Sequence, residues 1–218
     1  MVNAGWAGKL VSCLTSEGNT DRVTEATTAW LDRYLKDDTS VDLGSPVEIV
    51  DQNDQHWVGD DYPTADRPGS GTVSGSSDGS TLRLTADSQS GPLPDGAGKG
   101  LLGGLVTPLT PYPVAADQAV EAKVTAEGEV LVVGAPKLAM TYSGTTPGEA
   151  STHVFAQLVD PETNTVVGNQ ITPVPVTLDG EEHTAEVDLE VIAQHMKADS
   201  SLTLQVVAST GAYAKPEL

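Results

Sequence analysis

Cysteine, aromatic side chains, basic side chains and long apolar runs are all scarce in this sequence, and each shortage excludes something. Cys13 is the only cysteine in 218 residues, so no intrachain disulfide forms and the fold must hold by packing and hydrogen bonding. Phe, Trp and Tyr make up 4% of the chain, which leaves Val, Leu, Ile and Ala to build a core. Lys and Arg number 11 against 31 Asp and Glu, a formal net charge of -20. Phosphate backbones and anionic lipid repel such a surface, which argues against nucleic-acid partners. Solubility is the plain use of that charge. No run approaches the roughly 18 apolar residues expected of a membrane span. Residues 1–13 lack the basic start and apolar stretch of a secretory leader.

What is abundant points to strands. Gly 22 and Pro 14, with many Thr and Ser, favour short strands and frequent turns. The length suits one substantial core, or one core with a small appendage. The acidic, Thr-rich, Lys-poor balance leans towards a secreted or cell-envelope protein, with the compartment otherwise open.

Residues 1–18 carry no firm period and read as a loop or short helix. From Asn19 or Thr20, either of which can cap a helix, the pattern becomes helical, with Asp21 in the first turn where an acid suits the dipole. Val23, Ala26, Trp30, Leu31, Tyr34 and Leu35 recur at helical spacing, and Asp37, Asp38, Thr39 and Ser40 end the run. One helix of this length is not stable alone in water, so the Trp30 face needs a partner surface.

After Gly44-Ser45-Pro46 the period becomes two. Val47, Ile49 and Trp57 predict a first hairpin. Strands are expected at Thr81 to Ala86, Ala119 to Ala126, Leu138 to Tyr142, His153 to Val159, His183 to Val191 and Leu202 to Ala208. Pro173 and Pro175 confine residues 171–178 to a sheet edge, because proline donates nothing to a ladder. Val191 to Met196 reads as a helical turn, and Pro68 to Ser80 as a loop or weak edge strand. Short strands without intervening helices predict an antiparallel sandwich.

Several motifs carry the letters of chemistry. Gly75-Ser76-Ser77-Asp78-Gly79 spells the G-x-S-x-G nucleophile elbow, which needs a strand before the serine and a helix after it. Here a strand is expected after it, so Ser77 is read as no nucleophile. Gly98-Lys99-Gly100-Leu101-Leu102-Gly103 spells a dinucleotide fingerprint without the βαβ unit it requires, and reads as a loop. Asp51, Asp54, Asp60, Asp61 and Asp66, with Asn53, could offer oxygens to Ca²⁺, but lack EF-hand spacing. A solvated acidic loop is the preferred reading. His56, His153, His183 and His195 form no zinc set with the distant Cys13. Trp57, Tyr62 and Tyr112 could stack on a sugar, although lone aromatics in a sandwich more often pack at the rim. No catalytic residue and no cofactor is implied.

The order of features is similar to that of a known family. Ala29-Trp30-Leu31-Asp32-Arg33-Tyr34-Leu35-Lys36 resembles the last helix of the α/β-hydrolase domain in the X-Pro dipeptidyl-peptidase and cocaine-esterase-like serine hydrolases. Pro46-Val47-Glu48-Ile49, then Asp54-Gln55-His56-Trp57 and Tyr62-Pro63, resemble the strand and Trp-containing stretch that follow it. Val132 to Leu138, His153 to Asp160 and Ala193 to Ser209 continue the likeness, which spans most of residues 21–215.

The resemblance implies a mainly β fold: a jelly-roll, galactose-binding-like antiparallel β-sandwich (45–218) behind a helical remnant and linker (1–44). It implies that the triad lies on a missing α/β-hydrolase domain of a longer parent chain. No histidine precedes His56, so none of the family's catalytic residues carries over. The expected function is a non-catalytic accessory domain that packs on that catalytic domain, shapes its active-site entrance, or mediates homo-oligomer contacts. An independent carbohydrate- or ligand-binding module is the alternative.

Overall fold

Alternation of apolar and polar side chains marks several segments after Val47, and the described residues form twelve strands. The computed structural model describes residues 19–51, 53, 55–62, 64, 71–84, 115–116, 118–148 and 150–210. Ahead of the strands stands one helix, α1 (Asn19–Leu35), with Asp21 in its first turn and Arg33 in its last. Its end is built as the sequence suggests. Asp37 takes a left-handed φ of 56°, and the Asp38 carboxylate accepts from the Ser40 N–H and hydroxyl at 3.0 and 2.6 Å.

The strands are β1 (Val47–Val50), β2 (His56–Gly59), β3 (Gly75–Ser76), β4 (Val120–Thr125), β5 (Val130–Gly134) and β6 (Lys137–Thr145). They continue with β7 (Ser151–Asp160), β8 (Thr165–Val166), β9 (Thr172–Thr177), β10 (Asp179–Asp188), β11 (Ile192–Met196) and β12 (Ser201–Val207). One sheet runs β3-β4-β12-β7-β8, with β9 also pairing β7. Every pairing is antiparallel. The fold is therefore mainly β and sandwich-like, with an N-terminal helix.

The second layer is one long ribbon in two parts. β5 pairs β11, β6 pairs β10, and the chain passes from β5 to β6 and from β10 to β11 through short breaks. Leu189 N–H donates to the Pro136 carbonyl at 2.7 Å across the gap. Leu138, Met140 and Tyr142 of β6, with Ala185 and Val187 of β10, pack on Val154, Ala156, Val174 and Val176 of the sheet. Val130, Val132, Ile192 and Met196 extend this core against Leu158, Leu202 and Leu204.

Residues 154–159 of β7 are buried without a break, because both faces of this strand are covered. The ribbon covers one face. Ala115, Ala116 and Ala119 cover the other, over Phe155, Val159 and Val207. Val174 and Val207 are fully buried, and burial of such a side chain contributes about 1.5–3 kcal/mol.

Two expected elements differ. Residues 192–196 form a strand, not a helical turn. Ile192, Gln194 and Met196 all point inward, and the polar Gln194 conceals that alternation in the sequence. Residues 81–84 form no strand, although Leu82 and Leu84 pack against the core while Arg83 is exposed. The side chains keep the expected alternation without strand pairing among the described residues; residues 85–86 lie outside the described part. Pro173 and Pro175 do sit at a sheet edge, on β9, whose ladder partner is β7.

Candidate functional site

The first hairpin is organised by one acid. Asp51 follows β1, is 3% exposed, and turns the chain towards β2. Its carboxylate accepts from the N–H groups of Asn53 (2.8 Å) and Gln55 (3.0 Å) and from the indole N–H of Trp57 (3.1 Å). Its own N–H donates to the Gln55 carbonyl at 3.0 Å. Three donors satisfy a buried carboxylate that is otherwise costly to desolvate.

Trp57 then joins this hairpin to the ribbon. Its ring lies 5.1 Å from the His195 ring, at 47°. His195 Nε2 stands 2.9 Å from Glu129 Oε1. A carboxylate accepts only, so this nitrogen carries the proton. Opposite, His56 Nδ1 stands 3.0 Å from Glu48 Oε1, and Arg22 of α1 pairs with the same oxygen. A third histidine, His183, faces Asp179 at 2.9 Å and Tyr142 at 5.8 Å between ring centroids. His153 is exposed on β7.

The carboxylates in two of these contacts are shifted. Glu48 is held below the usual glutamate range, first by the His56 hydrogen bond and then by Arg22, against partial desolvation. Asp179 is held below the aspartate range by His183 and by the Glu181 N–H. The Glu48–His56 contact joins β1 to β2, whereas Asp179 and His183 both belong to β10.

Of the other candidates named from sequence, Asp60 and Asp61 are exposed beyond β2, whereas Asp51 is buried; Asp54 and Asp66 lie outside the described residues. Among the described residues no three His, Cys, Asp or Glu are grouped to hold a metal ion. Trp57 spends its N–H on Asp51 and packs its ring at His195, while Tyr62 is 51% exposed. Tyr112 lies outside the described residues, as does the glycine run at 98–103.

Ser77 is exposed, its Oγ accepting from Gly79 N–H at 3.1 Å. No helix follows it among residues 78–84. Gly75 has a different reason to be glycine. A Cβ there would collide with the backbone carbonyl of Lys123, where β3 meets β4.

Reading the sequence alone misses the buried amide ladder. Glu121, Gln205 and Gln157 lie side by side on β4, β12 and β7. Gln205 Oε1 accepts from Ala116 N–H (2.9 Å) and Gln157 Nε2 (2.8 Å), and its Nε2 donates to Glu121 (2.7 Å) and the Ala116 carbonyl (3.2 Å). The ladder pins residues 115–116 to the sheet. A nearby cleft lined by Gln157, Gln170, Thr172 and Glu190 has a volume of about 10 Å³, room for one water and not for a sugar or peptide.

Among the described residues, exposed large apolar side chains gather on α1. The Trp30 and Tyr34 rings lie 4.9 Å apart, tilted at 45°, and are 54% and 56% exposed, with Leu35 at 73% and Val23 and Leu31 also open. Among the described residues no helix is long and apolar enough to cross a membrane. The chain matches no protein-family model, and no curated protein matches it.

Proposed function

We propose that this chain is a non-catalytic accessory domain, of jelly-roll type, that serves a serine hydrolase of the X-Pro dipeptidyl-peptidase or acyl-esterase kind. In this reading α1 is a remnant of the α/β-hydrolase domain, and the sandwich packs on that domain and helps to shape the entrance to the active site. The observation that carries this reading is the exposed face of α1, with Val23, Trp30, Leu31, Tyr34 and Leu35 open beside a mainly β body. Contiguous apolar surface of this kind marks a docking site. The order of helix, hairpin and sandwich supports the same reading through the resemblance carried by residues 29–36 and 46–57.

The test is the coding DNA upstream of codon 1, read together with activity. An in-frame α/β-hydrolase domain carrying a G-x-S-x-G serine is expected there. The 218-residue chain alone should turn over neither X-Pro anilides nor p-nitrophenyl esters. A gene that starts at Met1, with no hydrolase partner gene beside it, overturns the proposal. So does labelling of Ser77 by a fluorophosphonate probe that Ser77→Ala abolishes.

A further inference from the structure

Glu48 sits where three elements meet. It lies on β1, diagonal across the hairpin from His56 of β2. Arg22, one turn into α1, reaches the same carboxylate oxygen that His56 Nδ1 approaches at 3.0 Å. We infer that Glu48 is an acid-releasable latch that holds α1 to the β1–β2 hairpin. This does not depend on the hydrolase reading.

Burial does little to anchor α1, because its large apolar side chains are exposed. A helix of 17 residues without a buried face is marginal in water. When docked and released states are that close in free energy, one charge-assisted contact shifts the balance. The chain between α1 and β1 has two turn points where release can pivot, Asp37 at φ 56° and Gly44 at φ 71°.

The charged groups that face Glu48 are Arg22 from α1 and His56 from β2, and both hold its carboxyl low. The contact therefore contributes in full above the ordinary glutamate value of about 4.3. It is lost as pH falls through the lower folded-state value. The latch is closed at neutral pH and opens in acid. Glu48→Gln imitates the protonated form without changing pH.

Amide hydrogen exchange, read residue by residue by NMR at pH 7, tests this on the full chain. Exposed ion pairs shift an equilibrium by about two- to five-fold. In Glu48→Gln the α1 amides should exchange about two- to five-fold faster, while those of β7 and β12 keep their wild-type rates. Arg22→Gln should match it, and the double variant should add nothing further. Exchanging the two charges, Arg22→Glu with Glu48→Arg, should restore protection. Unchanged α1 protection in Glu48→Gln overturns the inference. So does a loss shared equally by β7 and β12, which would signal general destabilisation instead of a latch.

Discussion

The indole N–H of Trp57 donates to the buried carboxylate of Asp51 across 3.1 Å, and this bond sets how the first hairpin meets the ribbon. Trp57 is thereby turned towards His195, at 5.1 Å. Asp51→Ala leaves three donors, two backbone and one indole, without their acceptor. Lost acceptors of this kind cost about 1–3 kcal/mol. The expected result is a lower urea midpoint for Asp51→Ala and changed Trp fluorescence in the native baseline. Asp51→Asn, which keeps an acceptor oxygen, should recover part of the loss. An unchanged midpoint for Asp51→Ala would mean that the hairpin is held by something else.

Gly75→Ala tests why the glycine-serine stretch is written as it is. The added methyl meets the Lys123 carbonyl, which belongs to a paired strand and cannot swing aside as a side chain could. Overpacking of this sort costs about 1–3 kcal/mol. The Gly75→Ala protein should lose exchange protection at the β3–β4 pairing and melt at lower temperature. Gly79→Ala probes something different, since Gly79 has open space around it and a left-handed φ of 79°. Its cost should come from backbone strain alone, at about 1 kcal/mol.

Much of this architecture is legible from periodicity. Val23, Ala26, Trp30 and Tyr34 give α1 its helical spacing, and Ala185 and Val187 against Glu186 and Asp188 give β10 its alternation. Pro173 and Pro175 place β9 at an edge from the sequence alone. The misses have physical causes. Val130 to Gly134 is half-buried at every position, so it has no alternation to detect. In β11 a buried glutamine breaks the apolar pattern. The Asp51–Trp57 and Glu48–His56 contacts depend on the register of β1 against β2, which composition does not set. Within the acidic stretch, too, burial is not legible from composition. Asp51 folds inward onto N–H donors, while Asp60 and Asp61 stay in solvent.

His183 and Asp179 give a pH prediction with a definite sign. The hydrogen bond from His183 and the Glu181 N–H hold the Asp179 carboxyl below the usual value of about 3.9. What this contact contributes to stability is therefore complete above that value, and fades as pH falls through the lower folded-state value. Carboxyl carbon chemical shifts followed from pH 7 to 2 should show Asp179 titrating late. In His183→Ala its midpoint should move back up towards the ordinary range. A midpoint in the wild-type protein at or above the ordinary value would contradict the observed geometry.

Pro173 and Pro175 guard the β9 edge, and replacing them should change how the protein associates. Both residues lie directly opposite β7 partners, Phe155 and His153. Antiparallel residues two apart share one orientation, so the nitrogens of residues 173 and 175 face the same way. A proline nitrogen fits only where it points away from the neighbouring strand. Here that direction is the outer edge, where two missing donors interrupt any ladder that another strand could build. Thr at these positions suits a strand and restores both donors without adding charge. Pro173→Thr with Pro175→Thr should fold with an unchanged far-UV spectrum, yet form concentration-dependent oligomers by light scattering. The net charge of -20 opposes association, so the effect should strengthen as salt is raised from about 0.01 M to 1 M and the screening length shortens from about 30 Å to 3 Å. An oligomeric state identical to wild type throughout that range would show that charge alone protects this edge.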